Sequence, residues 1–327
     1  MLAIGTVLQQ KYRIENVLGR GGMGDVYLAH ASHLKDQVAV KEVHPPMGKP
    51  DIQEAALQQF RQEAGLLRGL KHRMLPRVYD YFELDGVAYM VMEYIKGRSL
   101  DAVMMAEDEP LPIPMVMGWA ADLCDVLDYL HTHDPVVVYR DLKPSNIMLD
   151  VNGKIKLIDF GISKTFDKAN PALTSTFARG AISPGFTAPE QYSGGTDPRT
   201  DLYSLGATLY ALLTRTPPPS AVERAADIVS LVPLRTFRPE VSDQVAAAIE
   251  QLMKVRASDR HDSIEEVRTA LGLPTRRARA TSELTEEELP AAEERAAEPE
   301  EQWTREESPP TPIQASPQPR RPKSAPR

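Results

Sequence analysis

Two short runs limit most strongly what this chain can fold into. One is Val138-Tyr139-Arg140-Asp141-Leu142-Lys143-Pro144-Ser145-Asn146, and the other, thirteen residues after Asn146, is Asp159-Phe160-Gly161. Charged side chains gathered this closely are expensive to bury, and a bound cation offsets that cost. Asp141 can accept a hydroxyl proton, and Lys143 can neutralise charge on a migrating phosphoryl group. Asn146 and Asp159 offer hard oxygen ligands that suit Mg²⁺. Lys154–Ile158 reads as a strand leading into Asp159. Its alternation predicts a hairpin with 147–150, turning at Asn152-Gly153, so that the two ligands converge from adjacent strands.

Upstream, Tyr12 to Leu18 alternate polar and apolar as a strand does. Gly19-Arg20-Gly21-Gly22-Met23-Gly24 follows, then Asp25-Val26-Tyr27-Leu28-Ala29. Taken alone, G-x-G-x-x-G is a weak signal. In a dinucleotide-binding fold it opens a helix, whereas the β-branched and aromatic alternation here favours a second strand. Glycines without Cβ atoms can lie flat on phosphates and offer backbone N–H groups. A plain glycine hairpin is the other reading of the same residues. Val38-Ala39-Val40-Lys41 is a short apolar strand ending in a lysine, which is costly to bury unless paired. Phe60, Ala64 and Leu67 make a helical stripe in 54–70, and Glu63 lies beside it. Glu63 is either the partner of Lys41 or a solvated helix residue.

Two strand-like runs flank Asp85-Gly86 between 74 and 95, and 107–114 reads as a loop. From 115 to 132 the period is helical, with Trp119, Leu123, Leu127 and Leu130 on one side. The change near residue 100 predicts a small β lobe and a larger α lobe, with a hinge at 93–98. His131 and His133 have no further ligand at metal spacing and read as structural. Residues 162–188 have no period, and a loop of that length inside a domain is usually functional. Ala188-Pro189-Glu190 closes it. Residues 201–213 are apolar nearly all round and predict a buried helix that Asp201 can cap. Helical patterns at 242–256 and 263–271 complete the lobe.

With 42% hydrophobic residues among 327 the chain can build a sizeable core, and its net charge of −8 disfavours nucleic acid as a partner. The single cysteine, Cys124, reads as a core residue and fits a reducing compartment. Neither a secretory signal nor an apolar run long enough to span a membrane is present, which predicts a cytoplasmic protein. Residues 283–307 hold eleven glutamates and 308–327 seven prolines, with Arg320, Arg321, Lys323 and Arg327 at the end. Residues 273–327 therefore read as a disordered tail, acidic first and then proline-rich and basic. A proline-recognising partner could take Pro309-Pro310-Thr311-Pro312, although a spacer is the simpler reading.

In sequence order these motifs resemble a protein kinase, specifically the bacterial eukaryotic-like serine/threonine kinases, over residues 12–272. The resemblance implies an α+β, bilobal fold. Its small β-rich N-lobe spans about 12–95 with one key helix, and its larger α-helical C-lobe spans about 98–272. It implies a signalling enzyme that transfers the γ-phosphoryl group of ATP, with Mg²⁺ or Mn²⁺, to Ser or Thr hydroxyls of proteins. Gly19, Gly21 and Gly24, on one loop with Arg20, Gly22, Met23 and Asp25, would cover the phosphates. Leu18, Val26, Ala39 and Met148 would sandwich the adenine. Met92 would be the gatekeeper, with Glu93 and Ile95 bonding through the hinge backbone. Lys41 and Glu63 match the ATP-anchoring pair, Asp141 the base, and Asn146 and Asp159 the metal ligands. Lys143-Pro144 is the serine/threonine form of the loop. Glu190 would pair with Arg260.

Tyr139 stands where histidine is commoner, and Ile182-Ser183-Pro184 where Gly-Thr is. Ser183 can still offer its hydroxyl to Asp141 and Lys143. A phosphate on Thr174 or Thr176 would bond Arg140 and order the loop, so autophosphorylation there is expected. Two other readings compete, a nucleotide-binding scaffold without catalysis and a small-molecule phosphotransferase. Lys41, Asp141 and Asp159 are all present, which argues against the first. The Ala188-Pro189-Glu190 segment and its long loop argue against the second.

Overall fold

The computed structural model describes residues 2–21, 24–43, 50–106, 108–158, 183–192 and 195–274. Alternation along the N-terminal third makes β1 (Val7–Leu8), β2 (Tyr12–Gly21), β3 (Gly24–Ala31) and β4 (Asp36–Val43). After α1 (Pro50–Gly69) come β5 (Val78–Leu84) and β6 (Val87–Glu93). They form one antiparallel sheet in the order β1-β2-β3-β4-β6-β5. Asp85 (φ 52°) and Gly86 (φ 74°) both take left-handed backbone, the geometry a two-residue hairpin needs. The α1 stripe Leu57, Phe60, Ala64 and Leu67 is buried against β5 and β6. Arg61 on the same helix bonds Glu83 of β5 at 2.5 and 2.9 Å. That guanidinium, with the Tyr81 hydroxyl, holds the Glu83 carboxyl down at about 2.

The C-lobe opens with two elements the sequence reading did not name, β7 (Gly97–Ser99) and α2 (Leu100–Ala106). The loop expected at 107–114 is shorter by two residues. Ile113 and Pro114 already belong to α3 (Ile113–His131), because proline is tolerated in a first helical turn. A single 3₁₀ turn (Pro144–Asn146) leads into β8 (Ile147–Asp150), which pairs with β9 (Ile155–Leu157) and with β7. The predicted turn between β8 and β9 is present. Asp150 Oδ1 accepts from the Asn152 and Lys154 amides at 2.8 and 2.9 Å.

A second 3₁₀ turn (Pro189–Tyr192) precedes α4 (Pro198–Thr214), α5 (Ala221–Ala225), α6 (Leu234–Phe237), α7 (Asp243–Leu252) and α8 (Ile264–Ala270). In α4 every residue from Thr200 to Thr214 is buried, as a helix apolar all round requires. Its cap is not Asp201 but Asp197, whose side chain accepts from Arg199 N. Asp201 sits one turn further in and is spent elsewhere.

The folded body extends beyond both expected ends of 12–272. Leu8 is buried where β1 pairs with β2, and Leu2 N donates to the Tyr27 hydroxyl at 3.0 Å. At the other end Leu273 packs on the core, and Pro274 O accepts from Arg268 at 3.0 Å. The tail from 275 onward lies outside the described residues. Among the described residues no helix is long and apolar enough to cross a membrane. Cys124 is fully buried.

Candidate active site

A cleft of about 370 Å³ opens between the N-lobe sheet and β8. Its walls include Leu18, Gly19, Val26, Ala39, Lys41, Met92, Glu93, Ile95, Asn146 and Met148. Sheet register explains their convergence. Lys41 lies between Val26 of β3 and Met90 of β6, and Ala39 lies opposite Met92. Ala39 carries a small side chain at the centre of the sheet, leaving room for a flat ring below it. Leu70, Leu75, Val78, Met90, Tyr94 and Ile158 also line the cleft. Sequence reasoning missed them because nothing in their local pattern separates a cleft wall from ordinary core.

The glycine hairpin closes through Arg20 opposite Asp25 and Gly21 opposite Gly24. Arg20 and Asp25 do not line the cleft. Gly24 has φ 140°, and a Cβ on it would fall 1.8 Å from the Glu42 carbonyl oxygen. Its glycine is thus required by the approach of β3 to β4, whatever lies beneath the loop. Gly22, Met23, Asp159, Thr174 and Thr176 lie outside the described residues, as does the side chain of Glu63, whose backbone is on α1.

Around the 138–146 run, four polar side chains meet. Lys143 Nζ donates to Ser183 Oγ at 2.8 Å and lies 3.1 Å from Asp141 Oδ2. Ser183 Oγ lies 3.4 Å from Asp141 Oδ1. Asn146 Nδ2 donates to both Asp141 O (2.9 Å) and Asp141 Oδ2 (2.8 Å). With its NH₂ so committed, Asn146 keeps its carbonyl oxygen for another contact. Ile158 N donates to Asn146 O at 2.8 Å, which brings the chain just before Asp159 beside Asn146.

Asp201 holds this loop from below. Although fully buried, its carboxylate accepts from Tyr139 N (2.8 Å), Arg140 N (2.7 Å) and His131 Nε2 (2.8 Å). Three donors account for a charge that would otherwise be costly there. Arg140 has φ 69°, an uncommon conformation for a residue with a Cβ, and it is held by these bonds. Tyr139 is fully buried, and its hydroxyl donates to Ile158 O at 2.5 Å. Gln191, not anticipated from sequence, donates through Nε2 to Arg140 O (2.9 Å) and accepts from Ala188 N through Oε1 (2.9 Å). No local pattern marks such a residue, because its partners are backbone atoms 51 and three positions away. Arg260 pairs with Glu190 through Nη1 and Nη2 at 2.6 and 3.0 Å, beneath the segment that carries Ser183. The hinge residue Glu93 accepts from Lys156 Nζ of β9 at 2.6 Å.

Residues 12–269 match the family model described as the protein kinase domain. A Streptomyces coelicolor protein named "Probable serine/threonine-protein kinase SCO3848" is 34% identical over 271 residues, 79% of this chain and 39% of the relative. PknB of Mycolicibacterium smegmatis, a serine/threonine-protein kinase, is 31% identical over 81% of this chain and 43% of its own length. The chain therefore spans less than half of these curated relatives. Among solved structures, the PpkA-294 apo form is 27% identical with a TM-score of 0.71, covering 83% of this chain and 99% of that one. The Mycobacterium tuberculosis PknI kinase domain is 26% identical with a TM-score of 0.66, covering 83% and 98%. With four-fifths of its length inside that family model and a cleft built as described, the chain belongs to the protein kinase family.

Proposed function

We propose that this chain is an ATP-dependent protein serine/threonine kinase acting in signalling. The observation that carries this reading is the hydroxyl of Ser183 held between Lys143 Nζ and the Asp141 carboxylate. In this reading an acceptor hydroxyl is received at the same place. There Asp141 takes the acceptor's proton, and Lys143 balances charge on the phosphoryl group in flight. Leu18, Val26, Ala39 and Met148 hold the adenine, Met92 guards the back of the cleft, and the backbone of Glu93 and Ile95 bonds the base. The Gly19–Gly24 loop covers the phosphates. Lys41, paired with Glu63, fixes them. Most of the rate then comes from positioning and from electrostatics, with little covalent work for the protein.

Kinase chemistry uses a divalent cation, and the donors here suit a hard one. Asn146 presents a carbonyl oxygen whose amide nitrogen is already engaged, and Asp159 would supply a carboxylate. Mg²⁺, or Mn²⁺, bound by these two would neutralise phosphate charge. Autophosphorylation at Thr174 or Thr176, read by Arg140, is part of the same proposal; a phosphopeptide map of the active protein with both threonines unmodified would remove it. Protein substrates follow from the same reading.

Labelled ATP incubated with the protein and a generic acceptor such as myelin basic protein tests the whole reading. Label should enter serine and threonine of the acceptor. Absence of transfer despite nucleotide binding would favour a scaffold, and transfer only to an aminoglycoside would favour a small-molecule kinase.

A further inference from the structure

Arg140, immediately before Asp141, is notable for its backbone and not for its residue type. Its φ of 69° is one that side chains with a Cβ adopt at a cost, and it persists only where neighbours hold it. One side of the residue is accounted for, since its N–H donates to buried Asp201 at 2.7 Å. The other side is the peptide plane joining Arg140 to Asp141. The orientation of that plane sets where the Asp141 side chain leaves the loop. Its carbonyl oxygen accepts from Gln191 Nε2 at 2.9 Å.

Gln191 is itself fixed at its other end, where Oε1 accepts from Ala188 N at 2.9 Å. The side chain is therefore a strut with a defined amide orientation. Its donor faces the catalytic loop and its acceptor faces the chain that leads back to Ser183. That segment is closed by its own bonds, Ser183 N to Thr187 Oγ1 (3.0 Å) and Thr187 N to Ser183 O (3.1 Å). It is anchored below by Glu190 on Arg260. One amide thus connects the strained peptide before the base to the segment that offers the acceptor hydroxyl.

We infer that Gln191 is a positioning residue. It locks the Arg140–Asp141 peptide plane and sets the distance between the Asp141 carboxylate and the acceptor site at Ser183. It is not among the residues that line the cleft, so its effect falls on turnover and not on ATP affinity. The inference rests on the kinase reading above. Small displacements of a reacting pair are expensive, because a misplacement of about 1 Å can cost about 10²-fold in rate.

Three variants test it. Gln191→Ala removes both bonds. Gln191→Glu keeps an acceptor for Ala188 N but sets a carboxylate oxygen against the Arg140 carbonyl. Gln191→Asn keeps the amide one methylene short. Steady-state phosphorylation of a peptide acceptor should show kcat lowered about tenfold or more in Ala and at least as far in Glu. KM for ATP should be unchanged, and the melting temperature within about 3 °C of wild type. Asn should fall between wild type and Ala. Normal kcat in Gln191→Glu overturns the inference, as does a loss shared equally by kcat and ATP affinity. A variant that melts far below wild type makes Gln191 a stability residue and overturns it too. A wild-type protein that transfers no phosphate fails the kinase reading instead, and this inference falls with it.

Discussion

At the residue scale, the site is built from side chains whose polar atoms are almost all spoken for. Asp141 accepts from Asn146 and Lys143, and its remaining oxygen faces Ser183 Oγ at 3.4 Å. Replacing Asp141 with Asn removes the proton acceptor while keeping the shape. Turnover should fall by about 10²–10⁴-fold, with ATP affinity retained when measured by a fluorescent nucleotide analogue. Near-normal turnover would remove Asp141 from the role of base. The residues proposed for this chemistry stood out in sequence, because acids, a lysine and an amide at fixed short spacing have few other uses. What holds them was less legible. That Asp201 could reach backbone N–H groups was readable, but which ones was not, since Tyr139 and Arg140 lie 62 and 61 positions away. Glu42 shows the same limit. It lies two and four positions after Val40 and Val38, on the same face of the strand, and it is buried with them, which a charged residue next to Lys41 does not announce. Tyr27 donates to it at 2.7 Å and Tyr89 at 3.2 Å. Burial and the Glu42 carboxylate push the Tyr89 hydroxyl up to about 12.

At the scale of elements, the sequence pattern predicted β2 to β6, the Phe60-Ala64-Leu67 stripe of α1 and the buried α4, because each has one face or all faces in the core; β1, two residues long, was not predicted. β7 and α2 were not predicted. β7 is three residues long and α2 is seven, too short for a period to rise above the hinge sequence around them. The glycine hairpin separates two demands that its motif conflates. Gly24 sits where β3 meets β4 so closely that a Cβ would fall 1.8 Å from Glu42 O, whereas a Cβ on Gly19 meets nothing within 4 Å. Gly24→Ala should therefore destabilise the fold by about 2 kcal/mol or more, combining a strained φ with a backbone collision. Gly19→Ala should change stability by no more than about 1 kcal/mol, with any loss appearing in ATP affinity. Urea denaturation of the two variants decides between them, and equal destabilisation would contradict this division of roles.

At the scale of the whole molecule, the question is whether the two lobes unfold together. The N-lobe sheet has two apolar faces with different allegiances. Its outer face has a core of its own, including Leu8, Tyr12, Ile14, Tyr27 and Tyr89, with Phe82 stacked between Tyr12 and Tyr89 at 6.0 and 5.3 Å. Its inner face, through Ala88, Met90 and the α1 stripe, belongs to one continuous cluster that runs through Leu100, Leu142 and Ile147 to α4 and α7. The bond from Lys156 to Glu93 adds a polar tie across the hinge. Shared apolar burial of this kind makes separate melting of the N-lobe expose C-lobe surface as well, so calorimetry on residues 1–274 should record one transition. The nucleotide tightens the same coupling, because the cleft it would fill has walls from both lobes. ATP with Mg²⁺ at about 100 times its Kd adds about 2.7 kcal/mol by mass action, which for a domain of this size raises Tm by about 5–10 °C. Asn146→Ala should cut that shift when Mg²⁺ is present and leave the unliganded Tm nearer wild type than the liganded one. Two resolved transitions without ligand, or a nucleotide shift confined to one of them, would mean that the lobes are energetically separate and that the continuous core does not couple them.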